Sequence, residues 1–316
     1  MTTAITTQQL SKRYESTVAL DNISLTVESG ETMGFLGPNG AGKTTTLRIL
    51  TGLIAPTSGS VKILGLDVET QSLDIRKRIG YLPENVSLYP EMRVQEFLVY
   101  RAKIKAVARG QLASWIDEAV SRCGLGDVRR KLIGRLSKGY RQRVGLADCL
   151  VAHPAILILD EPTVGLDPHQ IRQTRDLIKD LSRNTTILLS THILPEVEMI
   201  CNRVTIINQG RIVAVDTPDN LRRRLTGSQT VRVELRADPA AIEQGLQQLR
   251  GVARVHRIGQ ADGFILFDVD VQGGVDIRES IFRLAVEHQW SLRQLSQTQA
   301  SLEDVFIHLT TQEKEG

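Results

Sequence analysis

The stretch "GPNGAGKTT", residues 37–45, follows the apolar run "MGFL" and precedes "LRILTGL". Gly37, Gly40 and Gly42 lack the Cβ that restricts the backbone, so this segment reaches angles closed to other residues. With an apolar run before it and a helix-forming run after it, the segment sits at the turn of a strand–loop–helix unit. Such a unit buries its strand in a sheet and lays its helix on one face, which points to a layered α/β architecture. A plain flexible turn would need no lysine and no pair of threonines.

Gly37, Gly42, Lys43 and Thr44 satisfy the pattern G-x-x-x-x-G-K-[ST]. In that spacing successive backbone N–H groups converge on phosphate oxygens, and the helix that follows aims its positive end at the same anion. Lys43 then reaches the terminal phosphates and the Thr44 hydroxyl ligates a magnesium ion.

A second acidic strand end is expected to face such a loop. "ILILDEP" supplies it: four apolar residues place Asp160 at the carboxyl edge of a buried strand, where α/β sheets bind ligands. Asp160 is positioned for the magnesium shell and Glu161 for the attacking water. Taken alone, the pair reads more readily as a strand-ending acidic pair before a proline turn; beside the glycine loop it does not. His192, in "STHIL", follows another apolar run, "TTILLS", and belongs at the same edge, where an imidazole orients water or steadies developing charge.

The first two-thirds of the chain repeats this alternation. "AILILD" and "TTILLS" read as parallel strands covered on both faces, and "PHQIRQTRDLIKDLSR" between them as a helix opened by proline. After "LRRRLTG" the pattern changes to β-α-β-β-α-β, the order of a ferredoxin-like unit, with a boundary near Gly227. The amphipathic stretch "SLEDVFIHLT", residues 301–310, has Ser301 and Asp304 at capping-box spacing. A length of 316 residues suits two domains, here 1–226 and 227–316.

Bulk properties exclude several classes. A net charge of +3 does not argue for nucleic-acid binding, and no apolar run approaches the roughly 20 residues of a membrane span. "MTTAITTQQL" lacks the basic and apolar regions of a signal peptide. Cys123, Cys149 and Cys201 have no metal-ligand spacing and read as reduced, buried small hydrophobes in a cytoplasmic protein.

With "LSKGYRQRVGLADCL" upstream of "ILILDEPTVGLDP", residues 1 to about 226 resemble the ATP-binding-cassette ATPases, the nucleotide-hydrolysing subunits of ABC transporters. The resemblance implies a P-loop NTPase fold and ATP and Mg2+ as ligands. The loop Gly37, Pro38, Asn39, Gly40, Ala41, Gly42, Lys43, Thr44 and Thr45 corresponds to the family's phosphate loop. Tyr14, in "SKRYES", matches the residue that stacks on adenine; without the family it is an ordinary strand residue. Asp160 matches the magnesium aspartate, Glu161 the catalytic glutamate, His192 the switch histidine, and Asp167 in "GLD" the acidic position of the dimer-contact loop.

The family's signature, usually L-S-G-G-Q, stands here as "LSKGY": Ser137 and Gly139 match while Lys138 and Tyr140 depart. Ser137 is suited to cap the following helix and leave its positive end facing a γ-phosphate. In the family that phosphate belongs to the opposite subunit, so one loop and one signature per chain imply a homodimer or heterodimer of ATPase subunits. Glu84, in "IGYLPEN", stands where members often carry glutamine; a carboxylate there still ligates magnesium but adds negative charge.

"YLPEN" and the terminal "SLEDVF" are similar to the type-2 exporter branch, in particular to gliding-motility-associated and multidrug-export ATPases. That branch implies a separate multi-span membrane permease, a place at the cytoplasmic face of the membrane, and no nucleic-acid partner. Two alternatives stand beside it: a soluble ATPase of the same family acting on DNA or ribosomes, and a nucleotide-dependent regulatory switch. DNA-repair relatives usually carry long coiled coils and translation factors two cassettes, and the sequence has neither heptads nor a second glycine loop.

Overall fold

A computed structural model describes residues 2–225, 228–272, 276–298, 303 and 306. The chain divides into two compact units, Met1–Thr217 and Pro218–Gly316. This division falls before the short helix that precedes residue 227, and Gly227 itself lies outside the described residues.

The first unit opens with a long hairpin, β1 (Thr3–Tyr14) and β2 (Thr17–Glu28), followed by the short strand β3 (Thr32–Leu36) and helix α1 (Lys43–Leu50). Next come β4 (Ser58–Ile63), β5 (Leu66–Asp67), α2 (Ser72–Arg78) and β6 (Ile79–Leu82). A helical stretch follows, with α3 (Val94–Ile104), α4 (Leu112–Arg122) and α5 (Lys138–Leu150). The unit closes with β7 (Ile156–Asp160), α6 (Pro168–Leu181), β8 (Thr186–Thr191), α7 (Leu194–Ile200), β9 (Arg203–Asn208) and β10 (Arg211–Asp216).

Two sheets result. β2-β1-β4-β5 is antiparallel, while β10-β9-β3-β8-β7-β6 is parallel except at its β9–β10 edge. Ile156 to Leu159 and Ile187 to Leu189 are fully buried, as strands covered on both faces must be. The antiparallel sheet buries its alternate residues, Ile5, Leu10, Leu20, Ile23, Leu25 and Val27, in the same core as Met33, Phe35, Leu47 and Leu50.

Register decides where the chemistry goes. Leu36 pairs with Thr191, Asp160 with Ser190, and Leu82 with Leu159, so β3, β8, β7 and β6 end at one level. The residues that follow those ends are Gly37, His192, Glu161 and Pro83–Glu84. Four separate loops therefore open at one carboxyl edge of the sheet, the edge where ligands bind in α/β proteins.

The second unit contains α8 (Pro218–Leu225), β11 (Ser228–Arg236), α9 (Pro239–Gln247), β12 (Val252–Ala261), β13 (Phe264–Gln272), α10 (Arg278–Glu287) and β14 (Ser291–Thr298). Its antiparallel sheet has the order β12-β13-β11-β14, which is the strand order of a ferredoxin-like fold. Val231, Val233, Leu235, Phe267 and Val269 on the sheet pack with Ile242, Leu246 and Ile281 of the helices. Asp238 caps α9 by accepting from Ala241 N at 3.0 Å. The amphipathic reading of 301–310, with Ser301 and Asp304 as its cap, lies outside the described residues apart from positions 303 and 306.

All three cysteines are free and buried, and burial pushes each thiol up to about 12. They pack as apolar groups rather than as nucleophiles.

Candidate functional site

At the carboxyl edge of the six-stranded sheet lies a cleft of about 380 Å3 lined by Pro38, Asn39, Gly40, Gly42, Lys43, Thr44 and Thr45, with Glu84, Glu161 and His192 opposite. Ala19 and Val164 complete its walls. The loop needs its glycines for space as well as for angle. A Cβ on Gly37 would stand 2.5 Å from Ile207 O, and one on Gly42 (φ 106°) would stand 2.8 Å from Ala19 O. Both contacts are with backbone, which does not move aside.

Lys43 is 6% exposed despite its charge. Its ammonium donates to Gly37 O at 2.7 Å and Pro38 O at 3.2 Å and lies 3.4 Å from Glu161 Oε1. The other oxygen of Glu161, Oε2, lies 2.9 Å from His192 Nδ1. One carboxylate thus sits between an ammonium and an imidazole. Glu161 also has φ 49°, in the left-handed region that a non-glycine residue occupies at a cost, and its N–H is held by Ser190 O at 3.0 Å.

Asp160 is fully buried. Its Oδ1 accepts from Ser190 Oγ at 2.9 Å, whereas Oδ2 has no hydrogen-bond partner among the described residues. Burial holds the carboxyl above the usual range. The Ser190 and Thr44 hydroxyls offset this, while the charges of Glu161 and Glu84 add to it. Burial, with Asp160 nearby, also pushes the Tyr81 hydroxyl up to about 12. An orphaned buried carboxylate oxygen beside a hydroxyl is an arrangement that a hard cation stabilises.

The family model described as "ABC transporter" matches residues 20–164, which include the phosphate loop, Glu84, Asp160 and Glu161 and end at Val164. The bacitracin transport ATP-binding protein BcrA of Bacillus licheniformis is 36% identical over 98% of this chain and 98% of its own length. The chain belongs to the ABC transporter ATP-binding proteins.

The daunorubicin/doxorubicin resistance ATP-binding protein DrrA of Streptomyces peucetius is 34% identical over 98% of this ABC ATPase and 93% of the relative. Among solved structures, an ATP-binding subunit of an ABC transporter superimposes with a TM-score of 0.65 at 29% identity, covering 71% of this chain and 93% of its own. Another, cbiO1 of Clostridium perfringens, gives 0.64 at 26% identity over 72% and 95% of the two chains. A shorter match, to an AAA domain described as a putative AbiEii toxin of a type IV toxin–antitoxin system, covers residues 133–199 and spans β7 and β8.

The remaining residues that the sequence singles out in this ABC ATPase lie outside the cleft walls. Ser137 is exposed and caps α5, accepting from Tyr140 N at 3.4 Å, a contact worth about 1 kcal/mol to the helix. Gly139 is buried against the side chain of Gln170. Lys138, the departure from the usual signature, lays its ammonium over Gly165 of the "GLD" loop. Asp167 N-caps α6, accepting from Gln170 N at 2.9 Å. The signature and the "GLD" loop are therefore neighbours through Lys138 and Gln170, which spacing alone did not indicate.

Tyr14 ends β1, is 45% exposed, and has the Lys12 ammonium 5.1 Å from its ring. It is not among the residues lining the cleft. Ala19 and Val164 do line it and carried no sequence signal. They are small or apolar residues whose role follows only from the approach of β2 to Gly42 and of the 161–166 turn to His192.

Proposed function

We propose that this ABC ATPase powers an exporter whose permease is a separate membrane chain, and that two ATPase subunits act together at the cytoplasmic face of the membrane. The observation that carries the ATPase part of this reading is the convergence of Lys43, Glu161 and His192 on a cleft floored by the glycine loop. The relatives' names support export, since one is called a bacitracin transport protein and another a daunorubicin/doxorubicin resistance protein. Among the described residues no helix is long and apolar enough to cross a membrane, in keeping with a permease on another chain.

In this reading the backbone N–H groups of residues 39–45 and the Lys43 ammonium bind the β- and γ-phosphates of ATP, with Tyr14 against the adenine. The polyphosphate carries more charge than Glu161 and draws Lys43 towards itself, which releases the carboxylate for its own task. Glu161 then takes a proton from the water that attacks the γ-phosphorus as the bond to the bridging oxygen breaks. His192 holds Glu161 in place and steadies charge on the phosphoryl oxygens.

Mg2+ fits this site. The unpartnered Asp160 Oδ2, the Thr44 hydroxyl and Glu84 would hold it. Among the described residues no three of His, Cys, Asp and Glu gather as a metal site. When bound, it neutralises charge on the β- and γ-oxygens.

Ser137 and Gly139 have no place in the cleft of their own chain, which supports a role on the γ-phosphate of a second subunit. Closure over two nucleotides and release after hydrolysis then supply a motion to the permease. Phosphate release from purified protein with Mg-ATP tests the enzymatic part, with Glu161→Gln as control. Co-purification with a multi-span membrane protein tests the exporter part; co-purification with ribosomes or DNA instead would overturn it.

A further inference from the structure

Glu196 is a carboxylate with 1% exposure, in the first turn of α7, and it lines no part of the cleft. Burying such a group is costly unless it is paired and hydrogen-bonded. Here it is both. Oε1 accepts from Thr163 Oγ1 at 2.6 Å and from Arg175 Nε at 3.3 Å, and Oε2 accepts from Thr191 Oγ1 at 3.0 Å.

The partners' places in the chain give this arrangement its meaning. Thr163 is two residues after Glu161, in the turn leaving β7; Thr191 is the residue before His192, at the end of β8. Both threonines are buried, and Thr191 Oγ1 also accepts from Ile193 N at 3.0 Å. One hydroxyl thus braces the backbone on both sides of His192, and one carboxylate ties that brace to the loop carrying Glu161. Arg175, on α6, supplies the countercharge.

We infer that Glu196 is a positioning residue for hydrolysis: it holds the two loops in the register that keeps His192 Nδ1 within hydrogen-bond reach of Glu161 Oε2. It acts through Thr163 and Thr191 rather than from the cleft wall. The inference rests on the reading of Glu161 and His192 as the hydrolytic pair. Displacing a reacting group by about 1 Å costs up to about a hundredfold in rate, whereas phosphate binding by the glycine loop is untouched by such a shift.

The experiment compares Glu196→Gln with wild type in steady-state ATP hydrolysis, alone and in a His192→Ala background. Gln keeps the shape and one acceptor but presents an NH2 group to Thr191. The expected result is a fall in kcat of about tenfold with KM for ATP within about twofold, shrinking to less than about threefold once His192 is gone. Wild-type kcat in Glu196→Gln, an equal loss in both backgrounds, or a rise in KM that accounts for the loss would overturn the inference. Should Glu196→Gln not fold, Thr191→Val carries the same expectation, with Thr191→Ser restoring kcat. Failure of Thr191→Val to lower kcat, or of Thr191→Ser to restore it, overturns the inference as well. If Glu161→Gln and His192→Ala themselves keep full turnover, the hydrolytic reading falls and this inference with it. If they lower turnover while Glu196→Gln does not, the inference alone falls.

Discussion

His192 Nδ1 lies 2.9 Å from Glu161 Oε2, although the two residues are 31 positions apart and sit at the ends of different strands. Parallel pairing of β7 with β8 brings them to the same edge, and Ser190, opposite Asp160, joins the two strand ends a second time. The consequences of this meeting can be measured.

Glu161→Gln keeps the side chain's shape while removing its capacity to take a proton. Nucleotide binding is expected to stay within about threefold of wild type while turnover falls by at least about a hundredfold. Fluorescent-nucleotide titration and phosphate release check the two halves. Wild-type turnover would remove Glu161 from its role.

Lys43→Ala deletes the ammonium that reaches both the loop carbonyls and Glu161. It also leaves a largely buried carboxylate with one partner fewer. Loss of charge-assisted contacts of this kind costs roughly 2–4 kcal/mol of nucleotide binding. Isothermal titration should show ATP affinity lower by about thirtyfold or more; undiminished affinity would show that the loop does not cradle phosphate through this lysine.

Gly42→Ala places a methyl group where the backbone has φ 106° and Ala19 O stands 2.8 Å away. Strain and overlap together are expected to cost about 2–4 kcal/mol of stability. Gly40→Ala is the contrast, because a Cβ there meets nothing within 4 Å and only the positive φ of 81° opposes it. Thermal melts of the pair should put Gly42→Ala well below Gly40→Ala.

Asp160→Asn removes a buried charge. Because burial raises the folded-state pKa, the wild-type carboxyl contributes stability below its ordinary pKa and loses it as pH rises through the raised value. Without nucleotide, Asp160→Asn should therefore gain in Tm over wild type as pH rises from about 4 to 7. With Mg-ATP the order should reverse, since only the wild type has the carboxylate that the ion needs. An identical response of both proteins to Mg-ATP would detach Asp160 from metal binding.

Ser137→Ala weakens the cap of α5 by about 1 kcal/mol and leaves the chain's own cleft intact. ATP binding to the isolated subunit should be unchanged. Nucleotide-driven association of Glu161→Gln subunits, followed by light scattering, should be lost when both carry Ser137→Ala. Persistence of that association would argue against a signature acting across the pair.

Much of this protein was legible in short-range pattern. The glycine spacing of 37–45, the apolar runs that end at Asp160 and just before His192, and the proline opening α6 depend on backbone freedom and on burial period, which neighbours in sequence determine by themselves. So did the β-α-β-β-α-β order of the second unit. Which ends meet is settled by folding alone. The register that levels β3, β6, β7 and β8, the Lys138 side chain over Gly165, Ala19 in the cleft wall, and Glu196 between Thr163 and Thr191 all join residues remote along the chain. Such contacts form only when strands pair and a shared core closes around them, and a lone glutamate in a helical run carries no mark of the hydroxyls that folding will bring to it.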